Sequence, residues 1–306
     1  MTGLTECSRF ACDKKSPVFD RQRGRKWPEE MRIWHQSILD LDVTPIYRRC
    51  LEKHASLVVD AGTTVVVHGL KPGTYGRDFV PIDAIRHRYL EFLNEIQICE
   101  AALAAEREGY DAVAIGCFYD PALRQARSLT SIPVVGLSES CMLVACSLGY
   151  KFALIALNRD QTAQHAELAH VYGLEQRLAA VLPMDPPIDE YVLERDQDEL
   201  RPVIEGFERA CRRALDAGAE VIIPGDGVLN EFIWRQGIRR VADAPVMDAL
   251  GTLFRYAAFM AQLGIEVSRT QHYARPSAAM LDHARKFTAM RRMEEKEFSG
   301  RMPTEK

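Results

Sequence analysis

Short β-branched runs alternate along the chain with longer stretches whose apolar residues recur at helical spacing. The runs are MRIW (31–34), TTVVVHG (63–69), DAVAIGC (111–117), IPVVG (132–136), KFALIAL (151–157), LAAVLP (178–183), AEVIIPG (219–225) and APVMDA (244–249). Between them, FLNEIQICEAALAAERE (92–108) and VIEGFERACRRALDA (203–217) have the amphipathic pattern of helices. Strands apolar on both faces, separated by helices, predict an α/β fold of parallel sheets flanked by helices.

The pattern repeats. GYDAVAIGCF begins at Gly109 and GAEVIIPGDG at Gly218; aligned without gaps, Asp111 falls on Glu220 and Cys117 on Asp226. Each segment follows a long amphipathic helix. Each is followed by a further helix and a strand that starts Pro-Val, at Pro133-Val134 and Pro245-Val246. The upstream strands pair in the same order, 31–34 with 151–157 and 63–69 with 178–183. The chain reads as two pseudo-symmetric halves, 31–137 plus 246–264 and 138–245, with an N-terminal arm at 1–30 and a helical tail at 265–306. The tail is expected to be a surface helix that frays beyond Ser299-Gly300. Arm or tail is where a homo-oligomer would form.

Parallel sheets bind ligands beyond the carboxyl ends of their strands. Cys117 and Asp226 hold that position in the two halves, so they are expected to approach one cavity from opposite sides. Asp120 and Pro121 form an N-cap and N1 pair, which predicts a helix whose positive end favours a thiolate at Cys117. The backbone amides of Phe118 and Tyr119, and in the second half of Gly227 and Val228, are candidate oxyanion donors. Thiol and carboxyl have ordinary pKa values of about 8.5 and 3.9. Asp226 is therefore an acceptor, and donates a proton only where burial raises its pKa.

Further candidates sit at other strand ends. His35, Gln36 and Ser37 follow the first strand and are expected at the mouth of the cavity. The glycine-rich HGLKPGTYGRDF (68–79) reads as a lid, with His68 at its base as a proton carrier or a structural donor, and Arg77 as a solvated loop charge or, in the alternative, a contact for an anionic group. Ser138 opens the helix that joins the halves, and Asn158 and Arg159 end the first strand of the second half.

Composition narrows the function classes. The 306 residues are 47% apolar and carry a net charge of −4, which makes no electrostatic case for a nucleic-acid or membrane partner. No apolar run approaches the ~20 residues of a membrane helix, and the first 30 residues lack the apolar core of a signal peptide. A cytoplasmic location with reduced thiols is expected. The eight cysteines form no CxxC pair, so no metal site is expected, and Cys50, Cys99, Cys141, Cys146 and Cys211 read as small apolar residues.

GCFYDPALRQAR, followed by IPVVG and LGYKF, resembles the aspartate/glutamate/hydantoin racemase superfamily, most closely its hydantoin and allantoin racemases. The resemblance covers roughly 31–264. It implies two flavodoxin-like halves with the active site between them, and chemistry without pyridoxal phosphate, metal or other cofactor. It also implies Cys117 as the first catalytic cysteine. The family's second cysteine stands in a Gly-Cys-Ala/Gly motif; here that position reads Gly225-Asp226-Gly227. A racemase or isomerase acting on a small carboxylate, amide or hydantoin-like compound is the reading by resemblance. A lyase or hydrolase with Cys117 as nucleophile and Asp226 as base or orienter is the alternative by mechanism. A silent binding protein is the alternative from another class.

Overall fold

The computed structural model describes residues 30–75, 80–195, 200–287 and 292–300. Most of the N-terminal arm, Arg77 and the last six residues of the tail lie outside the described residues. The first half runs β1 (Met31–Gln36), α1 (Pro45–Val58), β2 (Thr63–His68), α2 (Pro81–Ile85), α3 (Arg88–Arg107), β3 (Ala112–Ile115), α4 (Leu123–Leu129) and β4 (Val134–Gly136). Next come α5 (Leu137–Leu148), β5 (Phe152–Ala156), α6 (Thr162–Val171), β6 (Leu178–Pro183), α7 (Arg201–Asp216), β7 (Val221–Pro224) and α8 (Gly227–Arg235). The chain closes with β8 (Arg240–Val241), β9 (Ala244–Pro245), α9 (Ala249–Leu263) and α10 (Ala278–Phe287).

The first sheet has the order β2-β1-β3-β4 and the second β6-β5-β7, each parallel. Val246 pairs in parallel with Ile222 and takes beside β7 the place β4 holds beside β3. The two sheets therefore share one strand order. Their inner strands are apolar and fully buried, as covering on both faces requires. In α7, Val203, Phe207, Ala210, Cys211 and Ala214 supply the buried face. The helices that leave the sheets cross over: α5 packs on β5 and β7, while α9 packs on β1, β3 and β4 and against α5.

Several expected elements differ. β1 continues through His35 and Gln36, because both side chains are buried in the sheet layer rather than left in a loop. The expected strand at 244–249 splits, since Ala244 and Pro245 turn back to pair antiparallel with β8 and only Val246 joins the second sheet. The helix expected at Pro121 starts at Leu123, after Asp120 and Ala122 take left-handed conformations with φ of 46° and 56°. The tail is not one surface helix up to Ser299: α10 spans Ala278–Phe287, Phe298 and Ser299 are buried, and the stretch expected to fray beyond Gly300 lies outside the described residues. Ser299 Oγ accepts from the Leu41 amide at 2.9 Å, its carbonyl accepts from Gly69 at 2.7 Å, and Phe298 packs edge-on against Trp34.

A buried ion cluster ties α1, α8 and α9 together. His54 Nδ1 lies 2.5 Å from Glu231 Oε1 and Nε2 lies 2.9 Å from Asp248 Oδ2, with Trp234 stacked on the ring at 3.9 Å. Burial pulls the His54 pKa down, but its hydrogen bonds to the two carboxylates more than offset it and lift it to about 9. The ring is thus a cation that donates from both nitrogens. A histidine pKa above its unfolded value gives stability that is complete below about 6.5 and is lost as pH rises through about 9. His54→Ala is expected to cost about 3–5 kcal/mol near pH 7, because it strands buried carboxylates. Urea unfolding of both proteins should show that difference shrinking by pH 10; an equal difference at both pH values refutes the cationic cluster.

Candidate active site

Both β3 and β7 are followed by a glycine and then the residue of interest, Gly116-Cys117 and Gly225-Asp226. Cys117 and Asp226 line one cavity together with Ser37, Ile38, Leu39, Tyr47, Ile85, Phe118, Tyr119, Gln161, Glu190, Gly227 and Val228. Its charged lining, among the described residues, is acidic only.

The two glycines are sterically required. A Cβ on Gly116 would collide with His35 Nε2, and one on Gly225 would come within 2.8 Å of His165 Nε2. His165 Nε2 donates to the Gly225 carbonyl at 2.6 Å, and its ring stacks on Phe118 with centroids 5.1 Å apart. One imidazole thus braces the backbone before Asp226 and the turn after Cys117. Burial holds His165 at a pKa of about 4 and His35 at about 3, so both are neutral.

Burial pushes the Cys117 thiol well above its ordinary value; the Tyr119 backbone N–H opposes this, and the nearby Asp226, Glu91 and Asp120 add to it. Cys117 rests as a protonated thiol. The expected helix N-terminus does not serve it, because α4 begins six residues later. Asp120 caps α5 instead: its carboxylate accepts from the Ser138 and Glu139 amides at 2.9 and 2.8 Å and from Tyr172 Oη at 2.6 Å. Gly136 leaves room for that carboxylate, and burial raises Asp120 to about 7.

Asp226 is the N-cap of α8. Oδ1 accepts from the Val228 amide at 2.7 Å and the Leu229 amide at 3.2 Å. Both of its described hydrogen bonds fall on Oδ1, which leaves Oδ2 for a ligand. Burial raises Asp226 to about 6 against the pull of the two amides. Both protonation states are therefore within reach near neutral pH.

The other sequence candidates divide. Ser37, Phe118, Tyr119, Gly227 and Val228 line the cavity with Cys117 and Asp226. His35 instead lies beneath Gly116 with its ring edge-on to Phe254. Gln36 accepts from Trp34 Nε1 and donates to the Ser37 carbonyl, within the protein. His68 stacks on Trp34 at 3.6 Å and meets Glu295 at 3.0 Å. Ser138 is buried in the first turn of α5. Asn158 accepts from the Asp160 and Gln161 amides, a local turn, and Arg159 is exposed.

Tyr47, Gln161 and Glu190 escaped the sequence reading. Gln161 has a local signal, since the Asn158 turn presents it and its side chain accepts from the Leu157 amide at 2.8 Å. Glu190 stands in the loop after β6, the counterpart of the loop after β2, so the repeat itself points there. Tyr47 reads as an ordinary apolar helix position. Among the described residues no group of three or more histidines, cysteines and acids is arranged to hold a metal ion, and no helix is long and apolar enough to cross a membrane.

Comparison with known proteins bears on this arrangement. The chain is 28% identical to the hydantoin racemase of Pseudomonas sp. (strain NS671) over 194 residues, 63% of this chain and 75% of that protein. It is 28% identical to the hydantoin racemase of Paenarthrobacter aurescens over 226 residues, 72% of this chain and 91% of that protein. Its fold is similar to allantoin racemase from Klebsiella pneumoniae, with a TM-score of 0.68 at 24% identity over 81% of this chain and 94% of the other. Allantoin racemase from Pseudomonas fluorescens gives 0.65 at 22% identity over 80% and 97%. The family model for Asp/Glu/hydantoin racemases matches residues 47–257, more than half of the chain, and the protein belongs to that family of racemase-type enzymes.

Proposed function

We propose that this protein racemises a small cyclic amide of the hydantoin type at the carbon beside a carbonyl, with Asp226 and Cys117 as unequal acid–base partners. One observation carries the reading: a carboxyl and a thiol end equivalent strands and line the same cavity. The acidic lining supports the substrate class. A dicarboxylate would meet Asp226 and Glu190, whereas a neutral ring with N–H donors finds acceptors in them. The hydantoin racemases among its relatives support the same class.

The resting protonation states suit the chemistry. The Asp226 carboxylate takes the proton from one face of the carbon, and the electron pair of that C–H bond passes into an enolate. The enolate carbon then takes the thiol proton of Cys117 on the opposite face. The enzyme is left with a carboxylic acid and a thiolate, and transfer of that proton back to sulfur resets it. The opposite hand runs the same steps in reverse from the proton-shifted form. Burial eases the carboxyl side of that form by raising Asp226 to about 6, while the same burial opposes the thiolate at Cys117.

Incubating one enantiomer of a 5-monosubstituted hydantoin in D₂O is expected to place deuterium at C5 and yield both hands. Hydrolysed or decarboxylated product without exchange would favour the one-cysteine alternative and refute this reading. Cys117→Ser and Asp226→Asn are each expected to lower kcat by about 10²–10⁴-fold. Asparagine keeps the Oδ1 cap on α8, so thermal unfolding of Asp226→Asn should stay close to wild type. Activity within tenfold of wild type in either variant would remove that residue from the mechanism.

The pH profile has a defined acid limb. Asp226 must be ionised to take the first proton, so kcat/KM should rise with pH, level off above about 6, and fall about tenfold per unit below it. An acid limb at about 4, the ordinary carboxylate range, would mean that Asp226 is not the titrating base.

A further inference from the structure

Tyr47 sits in the first turn of α1, just after Pro45. Its backbone amide donates to Glu194 Oε1 at 2.8 Å, which fixes the start of the helix against the 192–194 turn. The residue is 1% exposed and lines the cavity. Its hydroxyl lies beside Gly227, where a Cβ would come within 2.7 Å of Oη. None of the described hydrogen bonds uses that hydroxyl.

A phenol buried this deeply usually finds a hydrogen-bond partner inside the protein. This one faces the reaction cavity, next to the residue that follows Asp226. Gly227, without a side chain, leaves the approach to it clear. We infer that Tyr47 Oη donates a hydrogen bond to the substrate carbonyl oxygen beside the reacting carbon, and holds the negative charge that develops there as the proton leaves. The inference rests on the racemase reading above and adds a third group to its two proton carriers.

The surroundings favour a donor over a base. Burial, then the nearby carboxylates of Asp226 and Glu231, keep the phenol protonated across the working pH range. A hydroxyl held ready at the oxygen requires no rearrangement when charge forms, and loss of one such donor commonly costs about 10²–10³-fold in kcat. Asp226 and Cys117 remain the only groups that exchange protons with carbon, so the proton balance of the reaction is unchanged.

Tyr47→Phe removes the hydroxyl and little else. With a 5-monosubstituted hydantoin, kcat is expected to fall about 10²–10³-fold. KM should change by less than about threefold, since the bond strengthens mainly as charge develops. Thermal unfolding should match wild type, because no protein hydrogen bond is lost. A second measurement reads the hydroxyl without turnover. The Kd for 5-benzylidenehydantoin, whose C5 is already planar, should rise about tenfold in the variant, the loss of one hydrogen bond.

Unchanged kcat or unchanged Kd overturns the inference. So does a marked fall in melting temperature, which would make Tyr47 structural. Wild-type protein that binds the benzylidene compound but racemises no hydantoin refutes the proposed reaction, and the Kd comparison then decides Tyr47 alone. Wild-type protein that binds neither compound overturns the donor assignment as well.

Discussion

The cavity depends on backbone passing directly against imidazole at two strand ends. Gly116 lies on His35 and Gly225 lies on His165, and neither position has space for a Cβ. Any side chain there would displace the strand end and move Cys117 or Asp226 with it. The same contacts need uncharged rings, since an imidazolium buried against apolar sheet layers would draw in water or a counter-ion. Burial supplies that condition by lowering both histidines far below the neutral range. The site is therefore set by steric exclusion at the ends of the strands, and the ligand-facing groups inherit their positions from it.

Burial has the opposite consequence for the acids. It raises Asp226 to about 6 and Asp120 to about 7, although each accepts hydrogen bonds from two backbone amides. For Asp120 the result is a cap on α5 at the join between the halves. For Asp226 it brings the carboxyl up to about 6, while the same burial lifts the Cys117 thiol well above its own ordinary value. Two identical thiols would make the cavity symmetric in chemistry as well as in fold. Here symmetry is kept by the strands and broken by the side chains, with one partner a carboxylate at rest and the other a protonated thiol.

Much of this was legible in the sequence, for identifiable reasons. Strands apolar on both faces announce themselves, and the repeat of strand, glycine and corner residue survives because sheet geometry and the glycine contacts both require it. That is why Cys117 and Asp226 could be paired by counting alone. His35 and His68 misled because sequence shows that a histidine ends a strand, not which way it faces; alternation puts His35 under Gly116, and Trp34 covers His68. Asp120 misled because a good local cap sequence was overridden by a left-handed turn that sends its carboxylate to another helix. Tyr47 and Glu190 were invisible because long-range packing alone brings them to the cavity. The burial of Phe298 and Ser299 has no local signal either, because their partners, Trp34 and Leu41, lie more than 250 residues away.

The exchange of α5 and α9 between sheets locks the two halves together. Each helix leaves one sheet and covers the other, so the halves cannot separate without uncovering both cores. Within that frame the His54 cation joins α1 to the helix that Asp226 caps and to Asp248, the cap of α9. Tyr47 lies two turns before His54 on α1, and Asp226 begins the helix that carries Glu231. One buried ion cluster thus sets the spacing between the helix that presents a hydroxyl and the helix that presents a carboxyl. A carbonyl and its neighbouring carbon are separated by a single bond, so groups addressing both must be held relative to one another more tightly than two loops would allow. Placing them at the starts of two helices clamped by a common charge satisfies that requirement.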